Sequence, residues 1–176
     1  MRVFVGIRPP IDARAALSAV TEDWDPPGRV VPADNWHLTL RFIGGMDDVS
    51  IDRLLADLDQ AELGGRFGVT LAGVGAFPNP LKATVLWLGL ERGADRVVEL
   101  AGDVDDAVDR IGFGREERPF VPHLTLSRIR PPVRVDRWIE EVEVPPIRFE
   151  VREVTVFASI TAADGPVYEV IDTVPV

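Results

Sequence analysis

The stretch Asn35-Trp36-His37-Leu38-Thr39-Leu40-Arg41-Phe42-Ile43-Gly44 has an echo later in the chain, Val121-Pro122-His123-Leu124-Thr125-Leu126-Ser127-Arg128. His37 and His123 are the only histidines among 176 residues, and each heads the same tetrapeptide, His-Leu-Thr-Leu. In this composition the three following positions would agree by accident with a probability on the order of a few in ten thousand, so the duplication asks for a physical cause. Both tetrapeptides read as β-strand, in which alternate side chains point to opposite faces. Leu38, Leu40 and Phe42 are then expected in a core, with His37, Thr39 and Arg41 on the other face. By the same rule Leu124 and Leu126 lie inside, and His123, Thr125 and Ser127 outside.

Each strand thus presents an imidazole and a hydroxyl on one face. A hydroxyl can bond a non-bridging phosphate oxygen while an imidazole about 6 to 7 Å along the strand serves a bridging or attacking one. Two such strands facing each other supply one base and one acid, because histidine titrates near neutral pH. A single histidine on a strand is commonly solvated or hydrogen-bonded and does no chemistry; the matched pair is what makes catalysis the better reading. Zinc takes three or four ligands and commonly recruits cysteine, which is absent, and no His-Glu-x-x-His occurs. A site without metal or cofactor is expected.

Around the two motifs stand Arg2-Val3-Phe4-Val5-Gly6-Ile7, Pro32-Ala33-Asp34-Asn35, Ala83-Thr84-Val85-Leu86-Trp87-Leu88-Gly89, Arg118-Pro119-Phe120-Val121-Pro122 and Val154-Thr155-Val156-Phe157-Ala158-Ser159, with Gly165 and Tyr168 beyond. With their order and spacing, these residues resemble the two-histidine (2H) phosphoesterases, and within them the bacterial and archaeal RNA 2′,3′-cyclic phosphodiesterases, also called 2′-5′ RNA ligases. The resemblance runs nearly end to end. It implies one 2H phosphoesterase domain over residues 1–176, of α+β class and bilobal. Two mainly antiparallel sheets would be in pseudo-twofold relation, flanked by helices, with one motif in each lobe and the active site in the cleft between. It also implies His37 as proton donor and His123 as proton acceptor, since the sequence itself is nearly symmetric. The implied reaction is metal-independent hydrolysis of an RNA-terminal 2′,3′-cyclic phosphate to a 2′-phosphate end, with weak reverse 2′-5′ ligation as a side activity. Thr39 and Thr125 would hold phosphoryl oxygens, as preorganised donors do.

Two further residues are candidates for substrate binding. Arg128 matches the family's arginine five residues after the second histidine, although strict alternation turns it away from His123; a bulge, a strand end or a surface ion pair would each resolve this. Phe4, like Phe42, is a candidate to stack on a base, set against the commoner role of a strand aromatic in a core. Trp36 is expected to pack, pointing opposite to His37.

The formal net charge of −10 is wrong for a protein that wraps a long nucleic-acid backbone. It suits an enzyme that handles only a terminal cyclic phosphate and a nucleotide or two through a local basic patch, for which Arg41, Arg128 and Arg130 are candidates. Asp103-Val104-Asp105-Asp106 reads as a solvated helix face. The lack of cysteine fits a reducing compartment. Neither a signal-peptide pattern nor a membrane-length apolar run is seen, so a cytoplasmic monomer with no membrane partner is expected. The expected partners are RNA 3′ ends or small nucleotides carrying a cyclic phosphate. The alternatives are a 2H phosphodiesterase acting on a small cyclic nucleotide or a 2′-5′ oligonucleotide, and a non-catalytic RNA-end binder, which would not need two proton carriers.

Periodicity predicts strands over 2–8, 36–43, 66–77, 83–90, 122–129, 147–159 and 166–174. Helices are predicted over 11–24, after an Asp47 or Asp48 cap, over 94–111 and over 135–141. Turns are expected at Pro78-Asn79-Pro80 and at Ala163-Asp164-Gly165-Pro166. That order lacks the strict alternation of a parallel sheet.

Overall fold

The computed structural model describes residues 1–162 and 165–176, so Ala163 and Asp164 of the last expected turn lie outside the described residues. Along the chain run β1 (Arg2–Ile7), α1 (Ile11–Thr21), β2 (Arg29–Val30), β3 (Leu38–Gly45), α2 (Asp48–Gln60), β4 (Phe67–Phe77), β5 (Ala83–Arg92), α3 (Ala94–Arg110), β6 (Leu124–Val133), α4 (Asp136–Glu141), β7 (Ile147–Val151), β8 (Glu153–Ala162) and β9 (Gly165–Pro175).

Local chemistry accounts for the element boundaries. Asp47 caps α2: its carboxylate accepts the Ser50 N–H at 2.8 Å, satisfying one of the helix's free donors. Gly93, at φ 84°, opens α3 where an added Cβ would lie 2.6 Å from the Gly68 carbonyl oxygen. Only glycine combines that backbone angle with that close approach. Helix α3 is held by its apolar stripe, Val97, Leu100, Val104 and Val108, all fully buried and each contributing about 1.5–3 kcal/mol. It lies against β3, with α2 packed on α3 and β9, and α1 on β7.

All strand pairings are antiparallel, in the order β7-β4-β5-β6-β3-β1-β8-β9, with β2 paired to β6. The order has an internal symmetry. Both motif strands, β6 and β3, lie at the middle, flanked by β5-β4-β7 on one side and β1-β8-β9 on the other. They touch through one residue pair, Leu38 with Leu124. The expected α+β class is present, but in place of two separate sheets the strands form one nine-stranded antiparallel sheet whose halves meet at that pair.

Three expectations change. The strand foreseen over 147–159 breaks at Arg152: β7 pairs with β4 in one half, whereas β8 pairs with β1 and β9 in the other. A continuous strand cannot serve both edges, so the chain crosses between halves there. Helix α1 ends at Thr21 rather than Trp24, and a short bridge at β2 and a 3-10 turn over Ala33–Asn35 precede the first motif. No helix among the described residues is long and apolar enough to cross a membrane.

Candidate active site

His37 and His123 each stand immediately before a central strand, β3 or β6. Each ring is fixed the same way. His37 Nδ1 lies 2.7 Å from the Asn35 carbonyl oxygen, and His123 Nδ1 lies 2.7 Å from that of Val121. A carbonyl can only accept, so Nδ1 carries the proton and Nε2 keeps the lone pair available to a substrate.

Beyond each histidine the strand contains a bulge. Gly6 pairs with Thr39 and Val5 with Arg41, so Leu40 has no partner across β1. Trp87 pairs with Thr125 and Leu86 with Ser127, so Leu126 has none across β5. Each bulge falls three residues after its histidine. One extra residue reverses the alternation beyond it. This resolves the position of Arg128, which faces the cleft beside His123 and Thr125. It also corrects two placements: Ser127, expected outside, is fully buried and donates from Oγ to the Pro27 carbonyl oxygen at 2.8 Å, while Phe42, expected in the core, is 50% exposed.

Aromatic rings enclose both imidazoles in matching fashion. His37 has Phe4 at 4.8 Å, Phe157 at 5.7 Å and Tyr168 at 5.0 Å between ring centroids. His123 has Phe77 at 5.0 Å and Trp87 at 6.2 Å. Phe4 and Trp87 come from the strands beside the motif strands, and Phe157 and Phe77 from the next strands out. Phe4 is therefore not a base-stacking residue: it is fully buried, stacked on Phe157 at 4.8 Å beneath His37, with no face open to a ligand. Trp36 is buried, as expected.

Enclosure sets the electrostatics. Burial disfavours the charged imidazolium and pushes His37 down to about 4, against a smaller upward pull from its Asn35 hydrogen bond, with the Arg128 and His123 charges lowering it further. His123 is lowered by burial and by Arg128, with its Val121 bond opposing.

Of the arginines proposed for a basic patch, Arg41 is otherwise engaged. Its Nε lies 2.7 Å from Asp105, Nη1 lies 3.4 Å from Glu116, and Nη2 donates to the Gly114 carbonyl at 2.9 Å. It ties β3 to α3 and the loop after it. Asp105 accordingly turns inward to Arg41 instead of lying on a solvated face. Arg130 lines neither of the two cavities at the histidines.

Those cavities meet at Thr125 and Arg128. One, of about 520 Å³, opens between the motif strands and α3 and includes Thr39, Phe42, Phe77, Phe120 and His123. The other, of about 90 Å³, includes Arg29, Asn35, His37 and Tyr168. The four motif residues and Arg128 thus surround one cleft. Sequence reasoning did not single out Asn35, Phe77, Trp87, Phe157 or Arg29 for the site, because their roles rest on backbone atoms and on strands distant in sequence. In the sequence Tyr168 is visible only as part of the family pattern near the end of the chain. Among the described residues no cluster of three or more His, Asp or Glu side chains is arranged to hold a metal ion.

An anion held between two imidazoles, two hydroxyls and a guanidinium can receive a proton on one side while losing one on the other. An RNA 2′,3′-cyclic phosphodiesterase of Thermotoga maritima is 31% identical over 176 residues, covering 97% of this chain and 93% of the relative. The crystal structure of Escherichia coli LigT in apo form superposes with a TM-score of 0.79 at 28% identity, covering 99% of this chain and 96% of that one. LigT complexed with 3′-AMP gives a TM-score of 0.79 at 28% identity, with 99% and 97% covered. The family model of the 2′-5′ RNA ligase superfamily matches residues 9–160, and the chain belongs to that family.

Proposed function

We propose that this protein hydrolyses RNA-terminal 2′,3′-cyclic phosphate to a 2′-phosphate end, using His37 and His123 as proton carriers and no metal. The observation that carries this reading is the pair of imidazoles, each with Nδ1 tied to a backbone carbonyl at 2.7 Å, flanking one cleft with Thr39, Thr125 and Arg128. The names of the relatives and the LigT complex with 3′-AMP support a nucleotide phosphate as the ligand.

In this mechanism His123 Nε2 takes a proton from water as the water oxygen attacks phosphorus. The bond from phosphorus to the ribose O3′ breaks on the far side, and His37 gives O3′ its proton. Thr39, Thr125 and Arg128 hold the non-bridging oxygens as charge builds on them. Proton exchange with solvent then restores both rings. Burial keeps His37 neutral above about pH 4, so a donor at that position acquires its proton with the substrate. The phosphate's negative charge offsets Arg128 and stabilises the imidazolium. Donor and acceptor roles follow the family resemblance.

The decisive experiment incubates EDTA-treated protein with a short RNA ending in a 2′,3′-cyclic phosphate and separates the 2′- and 3′-phosphate products. A 2′-phosphate product is expected. Turnover should fall by about a hundredfold or more in both His37→Ala and His123→Ala, the usual contribution of a positioned acid or base. A 3′-phosphate product would reverse the two roles, activity lost to EDTA would overturn the metal-free mechanism, and near-normal turnover by either variant would sink the paired-histidine one.

A further inference from the structure

Like charges directly opposite each other on paired strands repel, and the pairing loses stability unless an anion offsets them. Arg29 on β2 and Arg128 on β6 are such a pair. The chain nonetheless pins them side by side. Gly28, at φ 90°, passes so close to β6 that an added Cβ would lie 2.5 Å from the Arg128 carbonyl oxygen. The buried Ser127 hydroxyl donates to the Pro27 carbonyl at 2.8 Å, and the Val31 N–H donates to the Leu126 carbonyl at 2.8 Å. A strand of only two residues is thus fixed in the register that sets one arginine against another. Carboxylates are plentiful, 29 Asp and Glu against 19 Lys and Arg, yet among the described residues none is paired with either guanidinium. Both arginines line the cavity of about 90 Å³ beside His37. Asn35 ties one wall of it to β9: its Nδ2 donates to the Pro166 carbonyl at 2.8 Å, and its Oδ1 accepts the Tyr168 N–H at 3.4 Å. The space matches about three waters, enough for a phosphate group and too little for a nucleoside. Arg128 is shared with the cavity at His123, whereas Arg29 lines only this one.

We propose that Arg29 holds a second phosphate, the phosphodiester that joins the terminal nucleotide to its 5′ neighbour. In an RNA end that group stands one ribose away from the cyclic phosphate. The two arginines are rooted about 4.5–5.5 Å apart across the strand pair, so Arg128 reaches the reacting group and Arg29 the next one along the chain. Arg29 therefore distinguishes an RNA end from a nucleoside cyclic phosphate that carries nothing on O5′. This rests on the cyclic phosphodiesterase reading and adds to it what the substrate must carry beyond the reacting ring. One additional phosphate contact agrees with a chain of net charge −10, which is unsuited to following a long backbone.

The test compares kcat/KM for adenosine 2′,3′-cyclic phosphate with that for the same compound bearing a methyl phosphate on O5′, which adds the charged diester and no second base. The wild type should prefer the diester-bearing substrate by about tenfold, mainly through KM; a buried charged hydrogen bond would give more, but Arg29 is exposed. The preference should shrink in high salt, as screened ion contacts do. In Arg29→Met, which keeps the stem and removes the charge, the ratio should fall towards one, and Arg29→Lys should restore part of it. Arg29→Gln serves as the second neutral variant should Arg29→Met fail to fold. Equal handling of the two substrates by the wild type, a preference indifferent to salt, or a ratio unchanged in the neutral variants would overturn the subsite alone. Turnover of neither substrate by the wild type would overturn the phosphodiesterase reading and the subsite with it.

Discussion

Asn35 and Val121 share no side-chain chemistry, yet each accepts the Nδ1–H of the histidine two positions on, at 2.7 Å. A backbone acceptor leaves no trace in residue type, which is why the sequence displayed the two histidines and not their anchors. Arg128 was legible only as a position in a family pattern; its orientation came from the bulge at Leu126. Phe4 shows the opposite case, since an aromatic in a strand can serve a ligand or a core, and only burial distinguishes them. Because the Arg128 guanidinium adds to the lowering of both histidines by burial, Arg128→Gln should raise the pKa of each ring in the ligand-free protein, read by NMR titration. The same variant should lose about 10- to 150-fold in kcat/KM, the equivalent of the roughly 1.5–3 kcal/mol of a charged hydrogen bond. Unmoved histidines would remove Arg128 from the site.

At the scale of elements, sheet register decides what each strand presents. Helices α2 and α3 were readable because their apolar stripes and the Asp47 cap are local signals. The bulges were not, because a bulge is a relation between two strands: Leu40 and Leu126 are unpaired only by reference to β1 and β5. The break at Arg152 is of the same kind, since residues on either side of it have equal strand character and differ only in their partners. Gly75 on β4 pairs with Trp87 on β5, and a Cβ at Gly75 would overlap the indole ring that stands beside His123. Gly75→Ala should therefore cost about 1–3 kcal/mol, as overpacking does, and lower kcat together with a shift in tryptophan emission. Wild-type urea stability and kcat would mean that Trp87 is not held against His123 by this contact.

For the molecule as a whole, the buried neutral histidines link stability to pH. The unfolded chain binds a proton at each histidine near pH 6.5, whereas folded His37 does so only near about 4. Between those values the unfolded state holds more protons, so stability rises with pH across that window, is fully present above it, and is lost as pH falls through it. The lowering of His37 from 6.5 to about 4 corresponds to on the order of 3 kcal/mol. The carboxylates held low, Glu116 and Asp136 at about 2, act below the ordinary carboxylate range and leave the upper part of the window to histidine. Urea denaturation from pH 7 to 5 should show this slope in the wild type and a clearly flatter one in His37→Ala; equal slopes would mean that His37 titrates normally in the folded protein. In a chain of net charge −10, the cavity beside His37 is lined by two arginines, Arg29 and Arg128.

The sequence by itself determined the candidate site and the family: two imidazoles and two hydroxyls in a repeated local spacing, an α+β order of elements, and a family pattern spanning most of the chain. These are properties of residue type and short-range periodicity, which a linear chain displays directly. Only the tertiary structure decided which way Ser127, Phe42 and Arg128 face, that Phe4 supports His37 from below, that Arg41 is engaged by Asp105, and that strand 147–159 divides between the halves. Each of these depends on strand register or on packing between residues far apart in sequence, where one unpaired residue reverses a face.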